Sequence, residues 1–302
     1  MRSFTLNADD AGQRLDKYIL KITDMPRSLI YKYIRTGHIK VNKKKKDAGY
    51  FLSEGDVVAL FIDDNLFKSE KSAFLTHPLD IVYESDDIIA VNKPSGMKSQ
   101  PDRPGDGALS EYIKGYLFSK GEYLPEGGHS FSPALCNRLD VNTSGIVLAA
   151  KNAESLRILN EKIKNKEVEK YYHCIVRGTP PEKSGILEGY ILKDRAKNKS
   201  VIKKEECPDS KYVKTGYRVI RSSGRRSLID ITLYTGRSHQ IRAHMASVGC
   251  PIEGDFKYGG GEGTQKLCAY KLVFNFSDSG GKLSYLKGKT LEITPYFDKE
   301  VQ

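Results

Sequence analysis

Asn137-Arg138-Leu139-Asp140-Val141-Asn142-Thr143-Ser144-Gly145 runs directly into the apolar stretch IVLAA and then Lys151. Taken alone, the segment is a polar turn that delivers a buried strand. Asp and Ser side chains bond their own backbone, and Gly accepts backbone angles that other residues avoid. On that reading Asp140 is a turn former, and a chemical role for it needs support from elsewhere in the chain. Two later stretches supply candidates. Glu169-Lys170-Tyr171-Tyr172-His173-Cys174-Ile175-Val176-Arg177-Gly178 reads as a half-buried strand closed by glycine. Thr235-Gly236-Arg237-Ser238-His239-Gln240-Ile241-Arg242-Ala243-His244 follows a strand, Leu228 to Tyr234, in which Ile229, Ile231 and Leu233 face one way. It opens a helix with Ile241, Met245 and Val248 on the apolar face, stopped by Gly249 and Pro251. Arg242 lies beside that apolar stripe, so it requires an anionic partner or a route to solvent. Ala153 to Asn165 reads as a helix with Leu156, Leu159 and Ile163 on one face, so strands and helices interleave from Ile81 onward.

The first 62 residues have a different character. Arg27 to Arg35 is helical, its stripe formed by Leu29 with Tyr33 and Ile30 with Ile34, and Gly37 is placed to end it in a left-handed turn. His38 to Asn42 alternates like a strand, Lys43 to Lys46 is a solvated loop, and Gly55-Asp56 turns into the strand Val57 to Ile62. Arg14, Lys17, Arg27, Lys32, Arg35, Lys40 and the lysine loop decorate this module. Residues 63–80 are polar and mixed in charge, as a linker would be.

Composition narrows the partners. A formal net charge of +11 attracts polyanions, although charge alone does not separate nucleic-acid binding from a solvated basic surface. The N-terminal residues carry early acidic groups and no continuous apolar run, so no secretory signal is expected. No stretch approaches the ~20 apolar residues of a membrane span, and no basic amphipathic helix points to a membrane surface. Five cysteines, odd in number and without a CxxC spacing, argue against a disulfide framework or a zinc ribbon and suit a reduced, cytoplasmic protein. His239 and His244, five apart, do not align on a helix, and no HExxH is present, so no metal site is expected. Asn92-Lys93-Pro94-Ser95 lacks the aspartate of a guanine-binding NKxD motif, no GxxxxGK[ST] occurs, and Gly259 to Gly263 reads as a flexible turn.

In the first module, RLDKYI, PRSLIYKYIRTGHIKVN and LSEGDVV resemble, in that order, the small RNA-binding domain named after a ribosomal small-subunit protein. The resemblance implies that Arg14, Lys17, Arg27, Lys32, Arg35 and Lys40 face structured RNA. The remainder resembles the RluA-type pseudouridine synthases through DIIAVNKPSGM, NRLDVNTSGIVLAAKN, KYYHCIVRG, LYTGRSHQIRAHMASVGCPIEGDFKYGG and LCAYKLVF. That resemblance implies an α+β fold with a mixed, mainly antiparallel central sheet over residues 81–302. It also implies a catalytic aspartate at Asp140, an aromatic hydroxyl at Tyr172 and an arginine at Arg242 that pairs with the catalytic carboxylate. Arg138 is implied to hold RNA where a base has left the stack, and Leu267 to make an apolar contact with uracil. Two positions depart from the family: Asn137 and Cys268 stand where histidine is usual. The reaction adds and removes no external group, so no cofactor is required. Structured RNA is the expected partner, with large-subunit ribosomal RNA first and transfer RNA second, and no obligate protein partner is expected. The rival reading is a non-catalytic RNA-binding or RNA-folding protein on the same scaffold. A methyltransferase would need a donor-binding glycine loop after a strand, and none is apparent.

Overall fold

A computed structural model describes residues 1–67, 74–124, 130–194 and 199–301. The chain divides into two compact units. The first comprises Met1–His77, Glu111–Ala134 and Lys151–Glu154. The second comprises Pro78–Ser110, Leu135–Ala150 and Ser155–Gln302.

In the first unit, β1 (Arg2–Thr5), α1 (Leu15–Ile22), α2 (Arg27–Thr36), β2 (Ile39–Val41) and β3 (Val57–Leu60) follow in order. The three strands form an antiparallel sheet in the order β1-β3-β2. Ile30 and Ile34 of α2 are buried with Leu15, Tyr18 and Ile19 of α1, and Leu29 and Tyr33 pack against them, so the whole stripe read from the sequence is spent on the core. Gly37 ends α2 at φ 80°, with its N–H on Ile34 and its neighbour's on Tyr33. Strand β3 is shorter than expected and stops at Leu60. Asp56, buried at its start, accepts from Asn42 (2.7 Å) and from the Ser53 N–H (2.9 Å), tying the two turns together. In the stretch expected to be a linker, residues 68–73 lie outside the described residues. Phe74 stacks on Phe118, and His77 on Tyr112, both from α3 (Leu109–Ser119). Helix α3 comes so close here that a Cβ at Gly115 would collide with the Leu75 carbonyl.

The second unit is built on a sheet in the order β10-β9-β11-β12-β8-β13-β7-β5-β4, with β14 beside β13 and β6 beside β7. In sequence these are β4 (Ile81–Glu84), β5 (Ile88–Lys93), β6 (Ala134–Leu135), β7 (Ser144–Ala150), β8 (Val168–Arg177), β9 (Ser184–Asp194), β10 (Lys199–Lys203), β11 (Lys211–Ser222), β12 (Arg226–Leu233), β13 (Leu267–Phe274) and β14 (Thr290–Glu292). Every pair along the path is antiparallel except β7–β13. The sheet is therefore mixed and mainly antiparallel, as the resemblance implies. All seven residues of β7 are buried, which explains its continuous apolar run. Leu159 of α4 (Ala153–Lys164) packs on Ile88, Ile146, Leu148 and Phe274, flanked by Leu156 and Ile163. The parallel seam is very tight. Gly145 sits at φ 117°, and a Cβ there would collide with the Ala269 backbone. Glycine is thus required where β7 and β13 meet. No helix among the described residues is long and apolar enough to cross a membrane.

Candidate active site

The turn before β7 is fastened on both sides of Asp140. The Ser99 hydroxyl donates to the Leu139 carbonyl (2.7 Å) and accepts from the Leu139 N–H (3.1 Å). The Lys93 ammonium, fully buried, donates to the carbonyls of Val141 (3.0 Å), Met97 (2.7 Å) and Pro94 (3.0 Å). Burial draws the Lys93 pKa down to about 8, with Asp140 nearby opposing the fall. Gln265 donates to Thr143 (3.0 Å), and the Thr143 N–H closes the turn on the Asp140 carbonyl (3.1 Å). The turn chemistry read from the sequence is real, and it leaves the Asp140 side chain free to face outward. Asn137 is part of the same scaffold. It accepts from the Leu148 N–H (2.8 Å) and donates to the Ile146 carbonyl (3.3 Å), extending the edge of β7.

Arg242 comes from α5 (Gln240–Ser247), a helix buried along most of its length. Its Nη1 donates to Asp140 Oδ2 at 3.0 Å. The rest of the guanidinium fork is taken by Asp255, with Nε to Oδ2 at 2.7 Å and Nη2 to Oδ1 at 2.9 Å. Asp255 is 1% exposed and Asp140 29%. Arg242 is therefore locked by a buried partner and offers one remaining N–H pair to an accessible carboxylate. Burial works against its charge, but the hydrogen bonds and field of Asp255 and Asp140 outweigh it, and its pKa is raised. The Tyr258 ring lies 5.0 Å from the guanidinium carbon.

These groups line a cleft of about 1130 Å³. Tyr172 of β8, 6% exposed, lies in it opposite Ala269 in register, and burial pushes its phenol well above the usual 10, with Asp140 adding to the rise. Leu267, at the start of β13, is buried in the wall. Arg138 is exposed at the rim, donating to Gln100 at 3.2 Å. All five residues singled out for this region line the one cleft, although Tyr172 and Arg242 sit on elements far from Asp140 in sequence. Cys268 pairs in register with Ser144 on the parallel seam, and burial raises its thiol to about 11.

The basic residues of the first unit are not gathered equally. Lys32 and Arg35 of α2 join Lys45, Lys46, Tyr31 and Tyr50 around a groove of about 1180 Å³. Arg27 and Lys17 are exposed outside it. Arg14 forks onto Asp16 (3.1 and 2.8 Å), which offsets its charge, and Lys40 lies 5.4 Å over the Phe61 ring.

Residues 87–247, more than half of the chain, match the family described as RNA pseudouridylate synthase. The chain belongs to that family. Residues 13–58 of the synthase match the S4 domain. Over 302 residues it is 31% identical to an uncharacterized RNA pseudouridine synthase of Mycoplasma capricolum subsp. capricolum, covering 98% of each chain. It is also 32% identical over 264 residues to ribosomal large subunit pseudouridine synthase C of Vibrio vulnificus, covering 84% of this chain and 79% of that one. In fold it is similar to human RNA pseudouridylate synthase domain containing 1 (TM-score 0.56, 22% identity, 73% of this chain and 84% of that one).

Sequence reading missed three residues that line this synthase's cleft, and Lys93, which braces the Asp140 turn. Asp255 carried a signal, since a buried Arg242 demanded an anion, but nothing local named it. Lys93 was weighed only as a nucleotide motif. Phe256, 79% exposed at the cleft, entered only as part of a quoted motif. His239 was weighed only as a metal ligand, yet its Nε2 stands 3.7 Å from Asp140 Oδ2. Within the Gly259 to Gly263 turn, two glycines are closely packed. A Cβ at Gly260 would collide with the Ile252 carbonyl, and one at Gly261 with the Arg177 guanidinium.

Proposed function

We propose that this RNA pseudouridine synthase isomerises uridine in large-subunit ribosomal RNA, with Asp140 as the essential carboxylate acting on a flipped-out base. The observation that carries this reading is the Asp140–Arg242 pair in the floor of the cleft. The carboxylate is rigidly presented, partly exposed and paired at 3.0 Å with a guanidinium that is itself immobilised. Whichever atom it attacks, or whichever proton it removes, the ionised form is needed. A stacked uridine cannot reach that depth, so flipping costs a few kcal/mol. Arg138 at the rim is suited to fill the vacated position, Tyr172 to stack on the extruded base, and Leu267 to receive its edge. Residues 1–62 are assigned to RNA binding, with 63–80 joining them to a catalytic domain of 81–302. The Lys32–Arg35–Lys45–Lys46 groove supplies phosphate contacts. The ribosomal assignment is supported by the name of the Vibrio vulnificus relative.

The test is Asp140→Asn. The amide keeps shape and serves a turn as well as the acid, so a turn former would tolerate the change. Release of tritium from ring carbon 5 of uridine in the RNA should fall to background, with RNA affinity retained. Substantial release by a preparation free of other synthases would sink the assignment. Mapping pseudouridines in total RNA with and without the protein identifies the substrate, and a changed site in transfer RNA alone would overturn the ribosomal reading.

A further inference from the structure

Phe256 is more exposed than any other large apolar side chain among the described residues, and it lines the Asp140 cleft. Exposure alone would mean little, since single apolar groups are common on protein surfaces. What sets this one apart is the backbone beneath it. Phe256 opens a single 3₁₀ turn, Phe256–Tyr258, whose flanks are both fastened. On one side Asp255 is spent on Arg242, with bonds of 2.7 and 2.9 Å. On the other, the buried Tyr258 hydroxyl accepts from the Ser200 N–H (2.7 Å) and donates to the Ser200 carbonyl (3.1 Å). The N–H groups of Tyr258 and Gly260 both donate to the Asp255 carbonyl, at 3.1 and 2.8 Å. The turn cannot roll inward without breaking the Asp255–Arg242 lock, so the Phe256 ring is held outward at the cleft. Three exposed cations, Arg138, Arg237 and Lys257, line the same cleft.

We propose that Phe256 is a specificity-determining residue of this synthase: its ring stacks on the base adjoining the extruded uridine and makes an unpaired neighbour part of the recognised site. The inference rests on the Asp140 cleft receiving a flipped-out uridine. Turning a uridine out of a stack strips one face from each neighbouring base. The strand must also follow the uridine toward the cleft, which draws an adjoining base away from its own partner. An aromatic ring offers that base a replacement face, and any base can use it. Tyr172, the other phenyl-type ring among the described residues of the cleft, is buried in its wall, so it is placed for the extruded base and Phe256 for a neighbour nearer solvent. A phenylalanine on a fastened turn has two torsions to fix, so stacking costs it little freedom. Arg138, Arg237 and Lys257 supply charge for the phosphates on either side.

The experiment uses the full chain and a synthetic RNA hairpin that the wild type converts. The hairpin is made intact and with an abasic residue in place of the nucleotide on the 5′ or the 3′ side of the target uridine. Affinity and saturated single-turnover rate are measured for wild type, Phe256→Ala, Phe256→Leu and Phe256→Trp. On intact RNA, Phe256→Ala and Phe256→Leu should each bind about tenfold more weakly with the saturated rate kept, and Phe256→Trp should bind at least as tightly as wild type. One of the two abasic hairpins should weaken the wild type by a similar factor and erase its advantage over Phe256→Ala. Leucine keeps apolar area but has no ring to stack, so Phe256→Leu binding as tightly as wild type would overturn the proposal. So would a Phe256→Ala penalty that is absent on intact RNA, or one that persists undiminished on both abasic hairpins. The two readings fail separately. Pseudouridine made by Asp140→Asn would sink the active-site assignment, whereas an inactive Asp140→Asn beside an unaffected Phe256→Ala would sink this inference alone.

Discussion

Arg242→Ala should damage the fold as well as the chemistry, and the two carboxylates allow the damage to be divided. Asp255 is 1% exposed and takes two of the three guanidinium bonds, at 2.7 and 2.9 Å. Removing its partner leaves a buried charge uncompensated, which costs about 3–5 kcal/mol. Asp140 is 29% exposed, so water can replace its single 3.0 Å bond, and that loss is worth about 1 kcal/mol or less. Arg242→Ala should therefore lose roughly 4 kcal/mol of stability, whereas Asp140→Asn should lose under about 1 kcal/mol. For a unit of this size the first loss lowers the midpoint by on the order of 10 °C. Calorimetry reads both variants, and tyrosine fluorescence can follow urea unfolding because the chain has no tryptophan. Arg242→Met combined with Asp255→Leu removes both buried charges and should recover most of the stability while remaining inactive. Single-turnover rates, measured well below the midpoint, should fall in Arg242→Ala with RNA affinity kept. An Arg242→Ala protein within about 1 kcal/mol of wild type, or a double variant less stable than the single one, would refute the claim that Asp255 is the buried partner that matters.

Three further outcomes are expected. Lys32→Ala with Arg35→Ala should weaken RNA binding and flatten its dependence on salt concentration, by roughly 0.7–0.9 in logarithmic slope for each phosphate no longer neutralised. An unchanged slope would remove the α2 groove from the RNA interface. His244, 1% exposed with Nδ1 on the Thr215 hydroxyl (2.8 Å), has its pKa drawn down by burial from 6.5 to about 4. The unfolded chain therefore takes up a proton that the fold refuses, and on the order of 3 kcal/mol of stability should be lost as pH falls from 6.5 to about 4. His244→Phe should flatten that interval in urea unfolding. Lys93→Met takes the donor from three partly buried carbonyls and should cost on the order of 1–3 kcal/mol, and it should slow turnover without weakening RNA binding. A rate equal to wild type would show that the Asp140 turn holds its shape without the lysine.

Local readings succeeded where local physics decides. The α2 stripe, the Gly37 cap and the buried β7 run each depend on residues within one turn or one strand of each other, and periodicity and turn chemistry report those directly. Partnerships between distant segments were not legible in the local pattern, and the Arg242–Asp140 pair was reached only through the family resemblance. Arg242 announced a need for an anion, but two aspartates share it, one 102 residues before and one 13 after. Lys93 was weighed only in a nucleotide motif that was then set aside, because spacing carries no information about burial. Two of its acceptors, the carbonyls of Pro94 and Met97, are local, but the third, that of Val141, exists only once β5 and the Asp140 turn are side by side. His239 was hidden for the same reason, since neither its left-handed backbone nor its distance to Asp140 leaves a mark on composition or period.

What assembles the cleft is one long-range pairing. Strand β13 enters between β7 and β8, parallel to the first and antiparallel to the second. Cys268 then meets Ser144 just after the Asp140 turn, Ala269 meets Tyr172, and Leu267 faces the cleft between them. The loop leading into β13 carries Asp255, which locks Arg242, and Gln265, which ties Thr143. A single late strand thus positions groups from four distant segments. The seam accepts it only because Gly145 has no side chain to strike the Ala269 backbone. The carboxylate is held by interactions that form last in sequence order, so any substitution that loosens β13 should reach Asp140, Tyr172 and Arg242 together.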